Sequence, residues 1–161
     1  MNFLLANSAA DLLLPSSARV AVTIGVIALD DQRRLALTCR GALNPWEIPG
    51  GRLVGGESVE AAALRIFDRE TGLKIRLTYL LGIYSDPLER VVPDPGDDDP
   101  VHEVNILLEA HLLHQAPPPA AFPKRGRRLG FFHADRLPTP LAARAVAPLQ
   151  NYLHGHVGIV R

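Results

Sequence analysis

A single change in the spacing of apolar residues, from strand-like to helical, constrains the fold of this chain more than any other feature. In residues 19–40 apolar side chains recur at every second position, which predicts a β-hairpin. In residues 58–70 they recur at every third or fourth position, which predicts a helix. Ser58 is expected to cap its start and Gly72 its end. A Pro-Gly-Gly turn at residues 49–51 separates the hairpin from the helix.

The remaining elements follow from the same patterns. Strands are predicted at residues 75–84, 101–113 and 129–133, exposed loops at 86–100 and 115–128, and a last helix at 141–154 with Pro148 as a kink or boundary. This order predicts an α+β fold, an α/β/α sandwich around a mixed β-sheet. We expect residues 1–18 to form a lead-in and residues 19–161 to form one domain.

Composition excludes several classes of protein. Lys plus Arg and Asp plus Glu both number 17 in a chain of 161 residues, which argues against a generally basic nucleic-acid binder. The single cysteine, Cys39, excludes an internal disulfide and a cysteine-built zinc site. The sequence has no apolar run long enough for a membrane helix and no secretory signal pattern, so a cytoplasmic location is expected.

The segment that follows the hairpin resembles the Nudix box of the MutT-like Nudix hydrolases, written G-x5-E-x7-R-E-U-x-E-E-x-G-U with U bulky and aliphatic. The positions that match in strict register are Gly51, Glu57, Arg65, Glu70, Gly72 and Leu73. Two glutamates of the pattern are missing, because Ile66 and Arg69 stand in their places. With its flanks the resemblance covers roughly residues 19–150 and implies the Nudix fold with a degenerate box.

The resemblance also implies a metal site. Nudix enzymes use Mg²⁺ or Mn²⁺, held by a triangle of helix glutamates and a carbonyl of the glycine turn, which here would be that of Gly50. Only Glu70 survives from the triangle, so the implied metal site is weakened or absent. Glu57 and Arg65 are implied to hold the loop against the helix as a charge pair, with Gly51 and Gly72 as structural positions of the box.

The first functional hypothesis is a hydrolase of a nucleoside diphosphate linked to another group, such as a nucleotide sugar or ADP-ribose. Glu70 and a carboxylate outside the box would be catalytic, and Glu103 is the preferred candidate. The acidic residues considered are Glu89, Asp94, Asp97, Asp98, Asp99, Glu103 and Glu109. A related hypothesis is sugar-bond cleavage, as in the similar GDP-mannose mannosyl hydrolases. Those proteins take a base histidine from the loop before the last strand, whereas only His114 and His133 lie near this loop.

Two further hypotheses need no catalysis. In a silent nucleotide binder, Arg69 would grip a phosphate directly, helped by Arg40 and Arg52, and Trp46 would either stack on a base or cover the core. In an interaction protein, the basic run at residues 124–128 would bind an acidic partner or RNA. The expected partner is a small nucleotide derivative, with no membrane and no clear nucleic acid, and a homodimer stays open.

Overall fold

The structure, a computed structural model, describes residues 19–41, 43–94, 99–114, 123–124 and 126–161. The predicted lead-in of residues 1–18 therefore lies outside the described residues, as do Asp97, Asp98 and residues 115–122 of the predicted loop at 115–128. Within the described ranges, no helix has the length and apolar character needed to cross a membrane.

Ten strands and three helices make up the described part of the chain. The strands are β1 (Arg19–Leu29), β2 (Leu35–Arg40), β3 (Trp46–Glu47), β4 (Gly50–Arg52), β5 (Ile75–Tyr84), β6 (Val91–Val92), β7 (Val101–Leu112), β8 (Pro123–Lys124), β9 (Arg127–Phe132) and β10 (Ile159–Val160). The helices are α1 (Val59–Thr71), α2 (Pro87–Arg90) and α3 (Ala143–Leu153).

The strands form one mixed sheet around β1. The main order is β10-β5-β7-β1-β2-β9-β8, with β3, β4 and β6 beside this path. β1 pairs in parallel with β7 along its whole length, and it pairs antiparallel with β2 at Leu29 and Leu35. β4 pairs antiparallel with the middle of β1, where Gly50 lies opposite Gly25. The Pro-Gly-Gly turn is thereby fixed beside the central strand of the sheet.

The two longer helices lie on opposite faces of this sheet. Ile24 and Val26 of β1 pack in one apolar cluster with Phe67 of α1. Ile27, the next residue of β1, packs in a second cluster with Leu149 of α3. Because successive side chains of a strand point to opposite faces, α1 and α3 must cover different faces. This confirms the predicted α/β/α sandwich.

Helix α1 forms as its sequence predicts. Ser58 is the N-cap and its hydroxyl accepts a hydrogen bond of 3.1 Å from the amide of Ala61. Gly72 ends the helix in the left-handed region, with φ of 77°, and its amide donates to the carbonyl of Asp68 at 2.7 Å. Ile66 and Phe67 are fully buried, which contributes roughly 1.5–3 kcal/mol for each side chain. The helix is thus fixed at both ends and along one face.

The prediction of exposed loops at residues 86–100 and 115–128 is partly wrong, because both segments contain regular elements. The segment at 86–100 contains α2 and β6, because the carboxylate of Asp86 caps α2 and Val91 pairs with β7. The segment at 115–128 ends in the hairpin of β8 and β9. Its last strand was predicted to begin at Leu129, but it begins at Arg127 and pairs there with Arg40 of β2. This pairing across a long sequence separation brings a cation of the basic run to the helix α1.

The last helix continues through Pro148. A proline has no amide hydrogen, so the carbonyl of Arg144, four residues earlier, loses its helical partner. That carbonyl instead accepts a hydrogen bond of 3.0 Å from Nη2 of Arg90. Pro148 is therefore not the end of the helix. It leaves the carbonyl of Arg144 free to accept the hydrogen bond from the buried Arg90.

Candidate functional site

Each glycine of the glycine turn lies close to a neighbouring group, so an added side chain would meet it. A Cβ atom at Gly50 would lie 2.8 Å from the carbonyl oxygen of Ile24 in β1. A Cβ atom at Gly51 would lie 2.8 Å from Nη2 of Arg69, on α1. The turn therefore packs against the backbone of the sheet on one side and against a guanidinium group on the other.

The loop between β4 and α1 is held by an ion pair between Glu57 and Arg65. Nε of Arg65 donates to Oε2 of Glu57 at 2.9 Å, a second contact joins Nη2 to Oε1, and Nη2 also donates to the carbonyl of Arg52 at 3.2 Å. The amide of Val54 donates to Glu57 at 2.7 Å. The hydrogen bond from Arg65 is the largest cause of a lowered pKa of Glu57, and that from the Val54 amide adds to it. The hydrogen bond to Glu57 in turn raises the pKa of Arg65. The pair implied by the resemblance is present.

Glu70 lies buried between two arginines. Glu70 is 4% exposed. Oε1 is 3.1 Å from Nη2 of Arg69 and accepts a hydrogen bond of 3.2 Å from Nε of the same side chain. Oε2 forms an ion pair with Nη1 of Arg127, from β9, although the geometry is not that of a hydrogen bond. Burial lowers the pKa of Arg127, while the charge of Glu70 acts in the opposite direction. Both carboxylate oxygens of Glu70 are thus engaged by cations.

These residues do not fit a divalent cation. Magnesium requires several oxygen ligands. Of the helix triangle, Ile66 is an apolar core residue, Arg69 brings a guanidinium group against Gly51, and Glu70 is ion-paired. Across the residues that the structure describes, no cluster of three or more His, Cys, Asp or Glu side chains is placed to hold a metal. The implied use of Gly50 and Glu70 as metal ligands is therefore not supported by their surroundings.

Two cavities are lined by Arg69 of α1, and one of them also by the glycine turn. The larger, about 800 Å³, is lined by Gly50 and Gly51 and by charged side chains from β2, β4, α1, β7 and α3. The smaller, about 300 Å³, is lined by Glu70, Gly126 and Arg127 together with Arg40 and Arg69. Both cavities have Arg40 and Arg69 among their lining residues, so they lie next to each other.

Positive charge dominates the lining of the two cavities. The arginines that line them are Arg40, Arg52, Arg69, Arg90, Arg127 and Arg144. The carboxylates that line them are Glu47, Glu70, Asp94 and Glu103. Six cations against four anions leave a net charge of +2, which favours an anionic ligand.

The carboxylates are held by arginines. Asp94 bridges Arg52 at 2.8 Å and Arg19 at 2.7 Å. Arg144 lies 3.2 Å from Glu47 and 3.8 Å from Glu103. Glu103, the preferred catalytic candidate of the sequence, is 8% exposed and lines the larger cavity, whereas Glu70 lines the smaller one. The two predicted catalytic residues therefore do not meet in one cavity.

Trp46 is positioned away from the cavities. Its ring makes an edge contact with Phe132, with centroids 4.8 Å apart, and the guanidinium of Arg128 lies 5.4 Å from its centroid. It packs against the apolar cluster beneath α3 and lines neither cavity. Of the two roles considered for Trp46, its contacts are those of a residue that covers the core, because its β3 position pairs it with β2 at the sheet.

Of the basic run, Arg127 and Arg128 contact other residues of the domain, and Arg128 is exposed. Arg127 is ion-paired with the buried Glu70, and Arg128 lies over the Trp46 ring. Arg125 lies outside the described residues. His114 and His133, the histidines nearest the loop, are exposed and line neither cavity.

Sequence reasoning missed three arginines of the site. Arg127 was assigned to a loop, and its position is set by the pairing of β9 with β2. Arg90 and Arg144 were not singled out, and they are brought together by the carbonyl that Pro148 leaves without a helical partner. Burial lowers the pKa of Arg90, which is 4% exposed. The only local signal was Pro148 itself within a helical pattern.

The two glycines of the turn should respond differently to substitution. Gly50→Ala is expected to lower the free energy of unfolding by about 2 kcal/mol, because the methyl group would press on the Ile24 backbone. Gly51→Ala is expected to cost less than about 0.5 kcal/mol, since the flexible Arg69 side chain can move away. Urea denaturation measures both values, and equal losses for the two variants would contradict this packing.

Comparison with known proteins identifies the relatives of this chain. The model of the NUDIX domain family matches residues 19–152. A protein of Bacillus subtilis provisionally named 8-oxo-dGTP diphosphatase is 39% identical over 62 residues, which are 38% of this chain and 42% of that protein. The aligned segment thus spans less than half of that relative.

Solved structures share the fold at low sequence identity. A NUDIX hydrolase from Nitrosomonas europaea superposes with a TM-score of 0.67 at 22% identity, over 88% of this chain and 77% of that one. An ADP-ribose pyrophosphatase from Streptococcus suis gives a TM-score of 0.61 at 18% identity, over 84% of this chain and 90% of that one. At these identities the likeness concerns the fold.

Proposed function

The chain belongs to the NUDIX domain family, and we propose that its arginine-lined cavity binds a nucleoside diphosphate that is linked to another group. The single observation that carries this proposal is the net charge of +2 around the glycine turn. A volume of about 800 Å³ lies within the range of small-molecule sites. Guanidinium groups match phosphate oxygens in charge and geometry. The names of an 8-oxo-dGTP diphosphatase and an ADP-ribose pyrophosphatase among its relatives suggest the class of ligand.

Three arginines are proposed to contact the diphosphate. Arg40 and Arg69 line both cavities, and Arg127 extends the positive surface into the smaller one. Arg52 is held by Asp94 at the rim of the larger cavity and would contact the ligand only at its edge. The nucleoside and the linked group would occupy the remaining volume of the larger cavity.

Binding of ADP-ribose, UDP-glucose and 8-oxo-dGTP by titration calorimetry tests this proposal. At least one is expected to bind, with an affinity that falls as salt screens the arginines. Arg40→Gln is expected to weaken that binding about tenfold, because one charged hydrogen-bond donor to phosphate is lost. Arg136→Gln is the control, since its side chain is 85% exposed and lies outside the cavities. No binding of any compound, or equal loss in both variants, would overturn the proposal.

Hydrolysis of the bound ligand is the second candidate function. One observation favours it: a buried carboxylate, Glu103, lines the same cavity as Gly50 and Arg69. A carboxylate so placed has the chemistry of a general base. If the purified protein releases no product from the same compounds, whether in EDTA or with Mg²⁺ or Mn²⁺, this candidate fails while binding stands. Sugar-bond cleavage is not proposed, because neither His114 nor His133 lines the cavity.

A further inference from the structure

Glu70 is paired with two arginines, Arg69 and Arg127, one at each carboxylate oxygen. We infer that Arg69 and Arg127, held in place by Glu70, form a phosphate clamp that takes the place of a divalent cation, so that Mg²⁺ weakens diphosphate binding. The inference rests on the proposed function and names the groups that would recognise the ligand.

The two guanidinium groups reach Glu70 from different elements. Arg69 comes from α1 and lies against the glycine turn, while Arg127 comes from β9. Their side chains are 43% and 18% exposed, whereas that of Glu70 is 3% exposed. The carboxylate is thus enclosed and both arginines keep a surface toward the cavity. Glu70 therefore serves as the counter-ion that orients the two cations.

Hydrogen-bond donors remain on both arginines. Each guanidinium group carries five N–H donors. The contacts with Glu70 use Nε and Nη2 of Arg69 and Nη1 of Arg127. Within the described part of the chain, no protein hydrogen bond is made by the other guanidinium nitrogens of these two residues. Since both residues line the smaller cavity, these nitrogens are available to phosphate oxygens there.

Charge makes this arrangement favour an anion over a cation. Around the smaller cavity, Arg40, Arg69 and Arg127 face the single carboxylate of Glu70, a net charge of +2. A magnesium ion would have to displace a guanidinium group from Glu70 while two others remained close. A diphosphate needs no such displacement. In solution Mg²⁺ binds diphosphate oxygens itself. It would therefore compete with the clamp for the same ligand atoms.

Calorimetric titration of inorganic pyrophosphate, in EDTA and in excess MgCl₂, tests the clamp. Pyrophosphate is expected to bind in EDTA and to bind at least about tenfold more weakly with Mg²⁺. In EDTA, Arg127→Gln is expected to lower the affinity by roughly 10- to 100-fold. Arg128→Gln is the matched control, because its side chain lies over the Trp46 ring, away from both cavities. It should keep the affinity within about twofold.

The outcomes separate this inference from the proposed function. If pyrophosphate and ADP-ribose bound only when Mg²⁺ is present, the clamp would be overturned and the proposed function would stand. The clamp would also be overturned if Mg²⁺ bound the wild-type protein without any ligand and if this binding were lost in Glu70→Gln. Equal affinities in Arg127→Gln and Arg128→Gln would exclude Arg127 from it. Failure of both ligands in both buffers would overturn the clamp and the proposed function together. Thermal unfolding of each variant confirms that it is folded.

Discussion

Replacing Glu70 with glutamine is expected to lower the free energy of unfolding by about 3 kcal/mol. The substitution keeps the shape of the side chain but leaves two guanidinium groups beside each other without their counter-ion. Removing one partner of a buried ion pair typically costs 3–5 kcal/mol. The lower end applies here, because the side chain of Arg69 is 43% exposed and water screens part of its charge. For a domain of this size the midpoint of thermal unfolding should fall by about 6–12 °C.

Pyrophosphate should restore part of the stability that Glu70→Gln loses, because the anion supplies negative charge to the same two arginines. The rise of the unfolding midpoint with pyrophosphate should therefore be larger in the variant than in the wild type. Glu60→Gln is the matched control, since Glu60 is an exposed glutamate in the first turn of the same helix. It is expected to change stability by less than about 0.5 kcal/mol. A Glu70→Gln protein as stable as the wild type would contradict the ion-paired role of Glu70.

Replacing Glu103 with glutamine is expected to lower any hydrolysis by at least about 100-fold, as a general base is lost. Glu103 is buried, lines the larger cavity and lies 3.8 Å from Arg144. Glutamine fills the same volume, so nucleotide affinity should stay within about threefold. Steady-state kinetics should therefore show a fall in kcat with little change in KM.

A second buried glutamate on the same strand provides the control. Glu109 lies further along β7, accepts a hydrogen bond of 2.9 Å from Thr78 and lines neither cavity. Glu109→Gln is expected to keep the hydrolysis rate of the wild type, once folding has been verified by thermal unfolding. A rate that falls equally in both variants would point to a shared effect on the strand. A rate that stays unchanged in Glu103→Gln would assign the base to another group.

The parts of the fold that depend on local signals could be predicted from the sequence. Helix α1 begins and ends at the expected caps, because Ser58 and Gly72 act on neighbouring backbone groups. Strand β5 occupies residues Ile75–Tyr84 as predicted, since its apolar pattern is bounded by turns. The ion pair of Glu57 and Arg65 also joins residues close in sequence, across the first turns of the helix.

The cation that reaches Glu70 could not be predicted in this way. Its position depends on the register of β9 against β2, and the basic composition of the segment around Arg127 resembles that of an exposed loop. Arg90 likewise gains its place through a carbonyl in α3 that is 54 residues away. Both contacts arise from tertiary pairing. The degenerate box revealed that ligands were missing, and only the fold shows that two arginines now hold the one carboxylate that remains.

A crystal structure of the protein with ADP-ribose, grown in EDTA, would show directly whether the two arginines hold the diphosphate. Diphosphate oxygens should lie within hydrogen-bond distance of Arg69 and Arg127, with Glu70 still paired to both. The nucleoside and the second ribose should lie in the larger cavity, beside Gly50 and Glu103. A diphosphate bound elsewhere on the protein would exclude the phosphate clamp, as would a complex that forms only with a metal ion coordinated by Glu70.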